Sequence, residues 1–392
     1  MEKRDIICVS MTTWEGDYMK TIVAMMKELS KQHRVLFVDY PFTYKDVAFT
    51  ILGKSKAPLN KILGLSPRLR NLSEGDSEVY HLTLPPVIPI NWINDDSSFT
   101  KMATYQSKVI RRSIKKAMNE LKMKDPIVIN AFSPAAGVPL VNQLNEKANL
   151  YYCYDEISAA AWCGKHGAAM ENKFISLANG VITTSKHLYD TKSKKHTNTH
   201  LIKNGVDFKL FNQAYNKDRF NKKTKTIGYV GSIDFRLDVS LMKHSIEHFK
   251  FHKFQFIGRV VDAKVQEELE MYPNVAFLGA KSPSELVKAM KYIDLGLIPF
   301  EKNDFTKGIY PLKINEYLAA GIPVVSTDFA DLTDFTESTS ITKTNEGFIE
   351  AIRQELSSDN PDLAKVRMQI AEKNDWTSRA VLLNQLIEKV AS

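Results

Sequence analysis

Between Tyr310 and Val325 the chain reads Tyr-Pro-Leu-Lys-Ile-Asn-Glu-Tyr-Leu-Ala-Ala-Gly-Ile-Pro-Val-Val. A proline at the first helical position and a glycine just past the last mark a helix start and stop, so the spacing predicts a helix entered at Pro311 and Leu312 and ended by Gly321. The N-terminal end of such a helix carries partial positive charge and suits a phosphate group. Lys313 and Glu316, three apart, share one face. There an ammonium can meet phosphate oxygens while a carboxylate accepts hydrogen bonds from hydroxyls. The plain alternative is an amphipathic helix with a surface Lys/Glu pair.

Other groups stand where strand-like runs end. Gly228-Tyr229-Val230-Gly231-Ser232 ends a run in a glycine that lets backbone N–H groups approach a phosphate, with Arg236 following; a tight turn with no ligand is the other reading. No G-x-G-x-x-G dinucleotide fingerprint is present. Tyr151-Tyr152-Cys153-Tyr154-Asp155-Glu156 ends in two carboxylates. Asp155 there could take a proton if burial raised its pKa, or could cap a helix. The turn Thr12 to Asp17, with Thr13, Trp14 and Gly16, follows the first run; it faces phosphates or an acceptor, or is a β-α turn capped by Asp17. Cys163-Gly164-Lys165-His166 has no second ligand pair at metal spacing, so no metal is expected, and His166 is an alternative base or phosphate contact.

These residues need elements to hold them. Asp5–Met11, a helical pattern from Tyr18 to Lys31 and Arg34–Asp39 make a β-α-β unit whose strands are buried on both faces, the mark of a parallel sheet. Further strands are expected at Val79–Leu84, Ile127–Ala131, Leu150–Tyr154, Gly180–Thr184 and His200–Ile202, with a long amphipathic helix at Phe99–Lys124 capped from Asp95–Ser98. A second series follows at Thr226–Val230, Phe254–Ile257, Val275–Leu278, Leu295–Pro299 and Pro323–Ser326. Two such series predict an α/β chain of two doubly wound, Rossmann-like domains. The expected division is residues 1–210, a polar linker 211–225, residues 226–375, and a helix 376–392 crossing back to the first domain.

The segment P-L-K-x-x-E-Y-x-A-A-G-x-P-V-V resembles the nucleotide-binding helix of GT-B glycosyltransferases, above all family 4 and the bacterial exopolysaccharide and teichuronic-acid enzymes. Asn204-Gly205-Val206-Asp207 with Phe211, the run Asn274 to Gly279, and Leu297-Ile298-Pro299-Phe300 resemble other segments of that family, in order. The resemblance implies two domains facing across a cleft and transfer of a sugar from a nucleoside diphosphate, with UDP-sugar the expected donor, to an acceptor hydroxyl. It assigns the ribose to Glu316, the leaving diphosphate to Lys313 and Gly231 with Ser232, Arg236 or Arg259, and the base to Val275 and its neighbours. Asp155 resembles the aspartate general base of the exopolysaccharide enzymes, with Glu156 beside it on the acceptor side. Many family 4 enzymes carry a further glutamate eight residues before the ribose-binding one. Here that place is Gly308, so Asn303 and Thr306 are the expected sugar contacts.

Composition bounds the remaining choices. The 392 residues are 44% hydrophobic and 25% charged, an ordinary globular balance, with three cysteines and no apolar run long enough to span a bilayer. A cytoplasmic enzyme is expected. Residues 1–207 hold 28 Lys and Arg against 20 Asp and Glu, so they carry the whole net charge of +8. Nucleic acid, an anionic membrane or a phosphorylated substrate could each suit that half, as could an uneven solvated surface. Without aromatic interleaving or a binding module, nucleic acid is not expected. The resemblance to polysaccharide enzymes implies a lipid-linked acceptor, and with it peripheral contact to an anionic membrane through the cations of Lys101–Lys124 and the mixed apolar and basic run Phe49–Arg70. A nucleotide-sugar 2-epimerase of the same fold and a non-catalytic basic binding protein are the competing functions.

Overall fold

The computed structural model describes residues 2–16, 20–160 and 163–391. The chain forms two compact units, one of residues 1–16, 20–202 and 380–392, the other including 203–379.

In the first unit the strands are β1 (Asp5–Ser10), β2 (Arg34–Val38), β3 (Leu69–Asn71), β4 (Glu78–Leu82), β5 (Ile127–Ala131), β6 (Ala148–Cys153), β7 (Gly180–Thr183) and β8 (Thr199–Leu201). Their order is β3-β4-β2-β1-β5-β6-β7-β8, parallel throughout except for the antiparallel pairing of β3 with β4. β1, β5, β6 and β7 are apolar without alternation because helices cover both faces of the sheet. The long helix Asp96–Leu121 is capped by Asp95, whose carboxylate accepts from Ser98 N at 2.7 Å, and ends where Lys122 turns left-handed. Its buried stripe, with Ile110, Ile114 and Ala117, joins the core formed by Ile7, Leu36 and Val128.

In the second unit the strands are β9 (Thr226–Val230), β10 (Lys253–Ile257), β11 (Val275–Phe277), β12 (Leu295–Ile298), β13 (Val324–Thr327) and β14 (Ser340–Thr342). All are parallel, in the order β11-β10-β9-β12-β13-β14.

Residues 211–225 are not a free linker. Phe211 and Arg219 are almost fully buried, and the Arg219 guanidinium donates to Asp359 and to the carbonyls of Ala320 and Gly321. The segment reads as polar because its anchor is an arginine whose partners lie a hundred or more residues away. The last helix, Trp376–Ala391, starts within the second unit, where Trp376 packs so closely on Gly205 that a Cβ there would lie 2.9 Å from it. It continues in the first unit, where Asn384 meets His33 at 2.9 Å and Glu388 binds Arg4 through both oxygens.

Candidate active site

In open α/β sheets ligands gather at the carboxyl ends of the strands, where the strand order reverses. In the second unit that switch lies between β9 and β12. The loops after these strands are joined there by backbone bonds: Asp238 N to Pro299 O at 2.9 Å and Glu301 N to Arg236 O at 2.8 Å.

The glycine after β9 works differently from the expectation. Gly231 N–H is spent on Ile257 O at 3.0 Å, so it has no proton left for a phosphate. What Gly231 provides is proximity: a Cβ on Gly258, at the end of β10, would sit 1.8 Å from Gly231 O. Two backbones therefore close on each other at the strand ends, and Ser232 N–H is one of the loop donors without a bond among the described residues. Gly258 lies in no sequence motif, so only the fold shows its part in this approach.

The helix Leu312–Ala319 follows the loop after β12 and is entered at Pro311. Its first N–H groups, those of Leu312 and Lys313, have no intrahelical acceptor by geometry. Tyr317 fixes this helix to the sheet, since its hydroxyl donates to Gly228 O at 3.0 Å and accepts from Val230 N at 2.8 Å. Its ring fits because residue 296 is glycine; a Cβ there would lie 2.7 Å from the ring. The same helix places Lys313 Nζ 2.7 Å from Glu316 Oε2. Glu316 is 2% exposed. Burial raises its pKa above the usual glutamate value, against the lowering pull of Lys313. Lys313 remains partly exposed, and a ligand reaching Glu316 would share or displace its ammonium.

Arg236 is clamped by both oxygens of Asp234, at 2.8 and 2.7 Å, and lies over the Phe300 ring. Arg259 is exposed and has no side-chain partner among the described residues. Three expected contacts are corrected. Thr306 is fully buried, its hydroxyl donating to Glu301 O at 2.6 Å, while Asn303 Oδ1 accepts from Phe305 N and Thr306 N, so both oxygens shape the loop rather than face a sugar. Val275 opens β11 at its amino end, pairing with Phe254, whereas the carboxyl end is Phe277 followed by Leu278 and Gly279.

In the first unit the switch lies between β1 and β5. The loop after β1 is held from several sides. Lys20 Nζ donates to Thr13 O at 2.6 Å, Thr13 Oγ1 at 2.8 Å and Glu15 O at 2.6 Å, and a Cβ on Gly16 would press on that ammonium. Trp14 N donates to Asp39 Oδ1 at 2.7 Å. Asp39 Oδ2 lies 2.7 Å from His81 Nε2, close but out of line for a linear hydrogen bond. Arg70 donates to His81 Nδ1 and to Glu15, at 2.8 and 2.7 Å. The expected Asp17 cap lies outside the described residues. Across the switch, Phe132 follows β5 in the left-handed region at φ 58° although it is a bulky residue, with Asn130 and Ser133 exchanging hydrogen bonds around it. Such strain, of order 1–2 kcal/mol, collects at functional sites.

Asp155 is half-buried at the carboxyl end of β6. The turn after it is capped by its neighbour: Glu156 accepts from Ser158 N and Oγ, at 3.3 and 2.7 Å. Glu156 also faces Lys192 Nζ at 3.3 Å, and Lys192 pairs with Glu171 at 2.8 Å, all three side chains buried. Tyr151 donates to Glu171 as well. Burial tends to raise the Glu156 pKa, but Ser158 and Lys192 outweigh it and hold the carboxyl below its usual value. Glu156 is thus taken up by Ser158 and Lys192 in the interior, rather than turned to an acceptor. His166 is also corrected. Its Nδ1 lies 2.5 Å from Asp96, its Nε2 is 2.8 Å from Ile93 O, and its ring stacks on Phe99, so neither nitrogen is free to take a proton from an acceptor. Burial pushes the Cys163 thiol up to about 12. A groove of about 740 Å³ opens instead at the amino ends of β1, β2 and β4, between Arg4, Asp5, Arg34 and Glu78. Those four side chains are already ion-paired, and the groove is at the wrong end of the strands for this chemistry.

Residues 224–358 match the family model described as Glycosyl transferases group 1. The chain is 27% identical over 267 residues, 61% of its own length and 67% of the other's, to a putative teichuronic acid biosynthesis glycosyltransferase, TuaH, of Bacillus subtilis. Among solved structures it is similar to sucrose-phosphate synthase of Thermosynechococcus elongatus, at TM-score 0.71 and 14% identity, covering 99% of each chain. It is also similar to Anabaena HepE, solved with UDP and glucose, at TM-score 0.64 and 12% identity, covering 99% of this chain and 100% of that one.

Proposed function

We propose, from the premise that this chain is a GT-B glycosyltransferase of the group 1 type, that it moves a sugar from a UDP-sugar to an acceptor hydroxyl in cell-surface polysaccharide synthesis. The observation that carries the donor reading is the Lys313–Glu316 pair at the start of a helix beside the β9/β12 switch. Glu316 accepts the ribose hydroxyls. Lys313, released toward the ligand, meets the diphosphate together with the open N–H groups of Leu312, Lys313 and Ser232 and the unpaired Arg259. As the bond from the sugar's anomeric carbon to the diphosphate breaks, negative charge grows on the leaving oxygens. Fixed cations and amides aimed at that charge are worth more in the transition state than in the ground state, so the reaction needs no metal.

On the first unit, Asp155 takes the proton from the acceptor hydroxyl as its oxygen bonds to the sugar. Its place at a strand's carboxyl end, next in sequence to the buried Glu156–Lys192–Glu171 network, supports that role. The kinship with a teichuronic acid enzyme supports an acceptor carried on lipid at the inner face of the membrane. The test is to supply UDP-sugars and follow release of UDP and glycosylated product. For Asp155→Asn we expect near-complete loss of transfer with UDP affinity kept. Full activity in that variant would remove the proton-acceptor role, and release of an epimerised UDP-sugar by the wild type would replace transfer with epimerisation.

A further inference from the structure

We propose that residues 44–65 of the first unit form an ordered tip that seats in the surface of an anionic lipid bilayer. This deepens the reading of a lipid-borne acceptor by naming the surface at which that reading would operate.

The tip consists of the helix Tyr44–Ile51 and the one-turn helix Leu59–Ile62. A surface helix normally buries an apolar stripe. Here each helix buries one residue, Val47 and Ile62, while Ile51, Leu52, Leu63 and Leu65 stand 69, 65, 47 and 75% exposed. Isolated apolar side chains on a surface are ordinary; four aliphatics within fifteen residues are not.

The segment is held in shape. Thr43 and Asp46 cap the first helix reciprocally, and Gly53 and Gly64, at φ 70° and 77°, end the two helices. Thr50 Oγ1 accepts from Ala57 N at 3.1 Å, folding the connecting loop back. Arg68 donates to Lys61 O and Ile62 O, at 3.0 and 2.8 Å. The aliphatics therefore project from a fixed scaffold.

The charges name the occupant. Lys45, Lys54 and Lys56 are exposed and have no acidic partner among the described residues. The one acid between residues 44 and 68 is Asp46, which is spent on its cap. Aliphatics among unpaired lysines match the acyl boundary and anionic headgroups of a bilayer. The contact is peripheral, since no helix among the described residues is long and apolar enough to cross a membrane.

The whole chain is sedimented with vesicles of phosphatidylcholine alone, and of equal parts phosphatidylcholine and phosphatidylglycerol, at low and high salt. Thermal shift by UDP is read in the same preparations. Wild-type chain should bind the anionic vesicles and leave them in high salt. Combined Ile51→Ser, Leu52→Ser, Leu63→Ser and Leu65→Ser should weaken binding by at least about tenfold with the UDP shift kept, and Lys54→Gln or Lys56→Gln by about fivefold each. Wild-type chain that stays in solution with anionic vesicles at low salt overturns the proposal. So does a four-serine variant that binds like the wild type. A chain that sediments but shows no UDP shift supports the tip and counts against the donor site alone.

Discussion

At Glu316 two forces oppose each other. Burial favours the neutral acid, and the nearby Lys313 ammonium favours the carboxylate, with burial the larger. If the carboxylate is the form that accepts ribose hydroxyls, donor affinity should fall as pH drops through a value above the usual glutamate one, 4.5. Because the folded chain holds this proton more tightly than the unfolded one, the associated stability is present at low pH and lost as pH rises through the folded value. Glu316→Gln should therefore lack the acidic limb in UDP titrations, and its stability relative to wild type should improve toward alkaline pH. A limb that survives in the variant belongs to another group. Lys313→Ala should lower kcat more than donor affinity, because the ammonium meets charge that grows as the diphosphate leaves; equal losses in steady-state kinetics would make it a binding residue only.

At the scale of elements, the helix Leu312–Ala319 is useful because of what pins it. Tyr317→Phe would leave Gly228 O and Val230 N buried without their partner, a cost of about 1–3 kcal/mol, measurable by urea unfolding. Gly258→Ala is a sharper probe. Its Cβ would collide with the Gly231 carbonyl, so the loop after β9 must move, and UDP affinity should drop at least about tenfold while the first unit keeps its melting behaviour. Unchanged affinity would show that this close approach serves packing alone. The helix and its Lys/Glu pair could be read from the sequence because Pro311, Gly321 and the three-residue spacing are local signals. Twelve of the fourteen strands among the described residues were legible for the same reason: each is a short apolar run bounded by turn residues. β3 and β14 were not, because Leu69-Arg70-Asn71 and Ser340-Ile341-Thr342 each hold one apolar residue between polar ones and so make no apolar run. Local pattern also could not show that Thr306 turns inward, that Val275 lies at the amino end of its strand, or that Glu156 is taken by Lys192. Those facts depend on partners distant in sequence or on strand direction.

Over the whole molecule, the division of charge follows the division of labour proposed for the units. Residues 1–207 carry the surplus of cations, and the exposed face of Asp96–Leu121 places Lys101 near Asp95 and Lys108, Arg112, Lys115 and Lys116 in solvent without acidic partners among the described residues. The second unit carries the Lys313–Glu316 helix, and residues 208–392 hold as many Lys and Arg as Asp and Glu. Everything further depends on whether a nucleotide binds at Lys313 and Glu316. The direct measurement is calorimetric titration of UDP into the wild-type chain and into Glu316→Gln at pH 8. Losing charge-assisted hydrogen bonds to ribose should cost about 1.5–3 kcal/mol, a drop in affinity of at least about tenfold. Equal affinity in the two proteins, or no UDP binding by the wild type, would contradict the account.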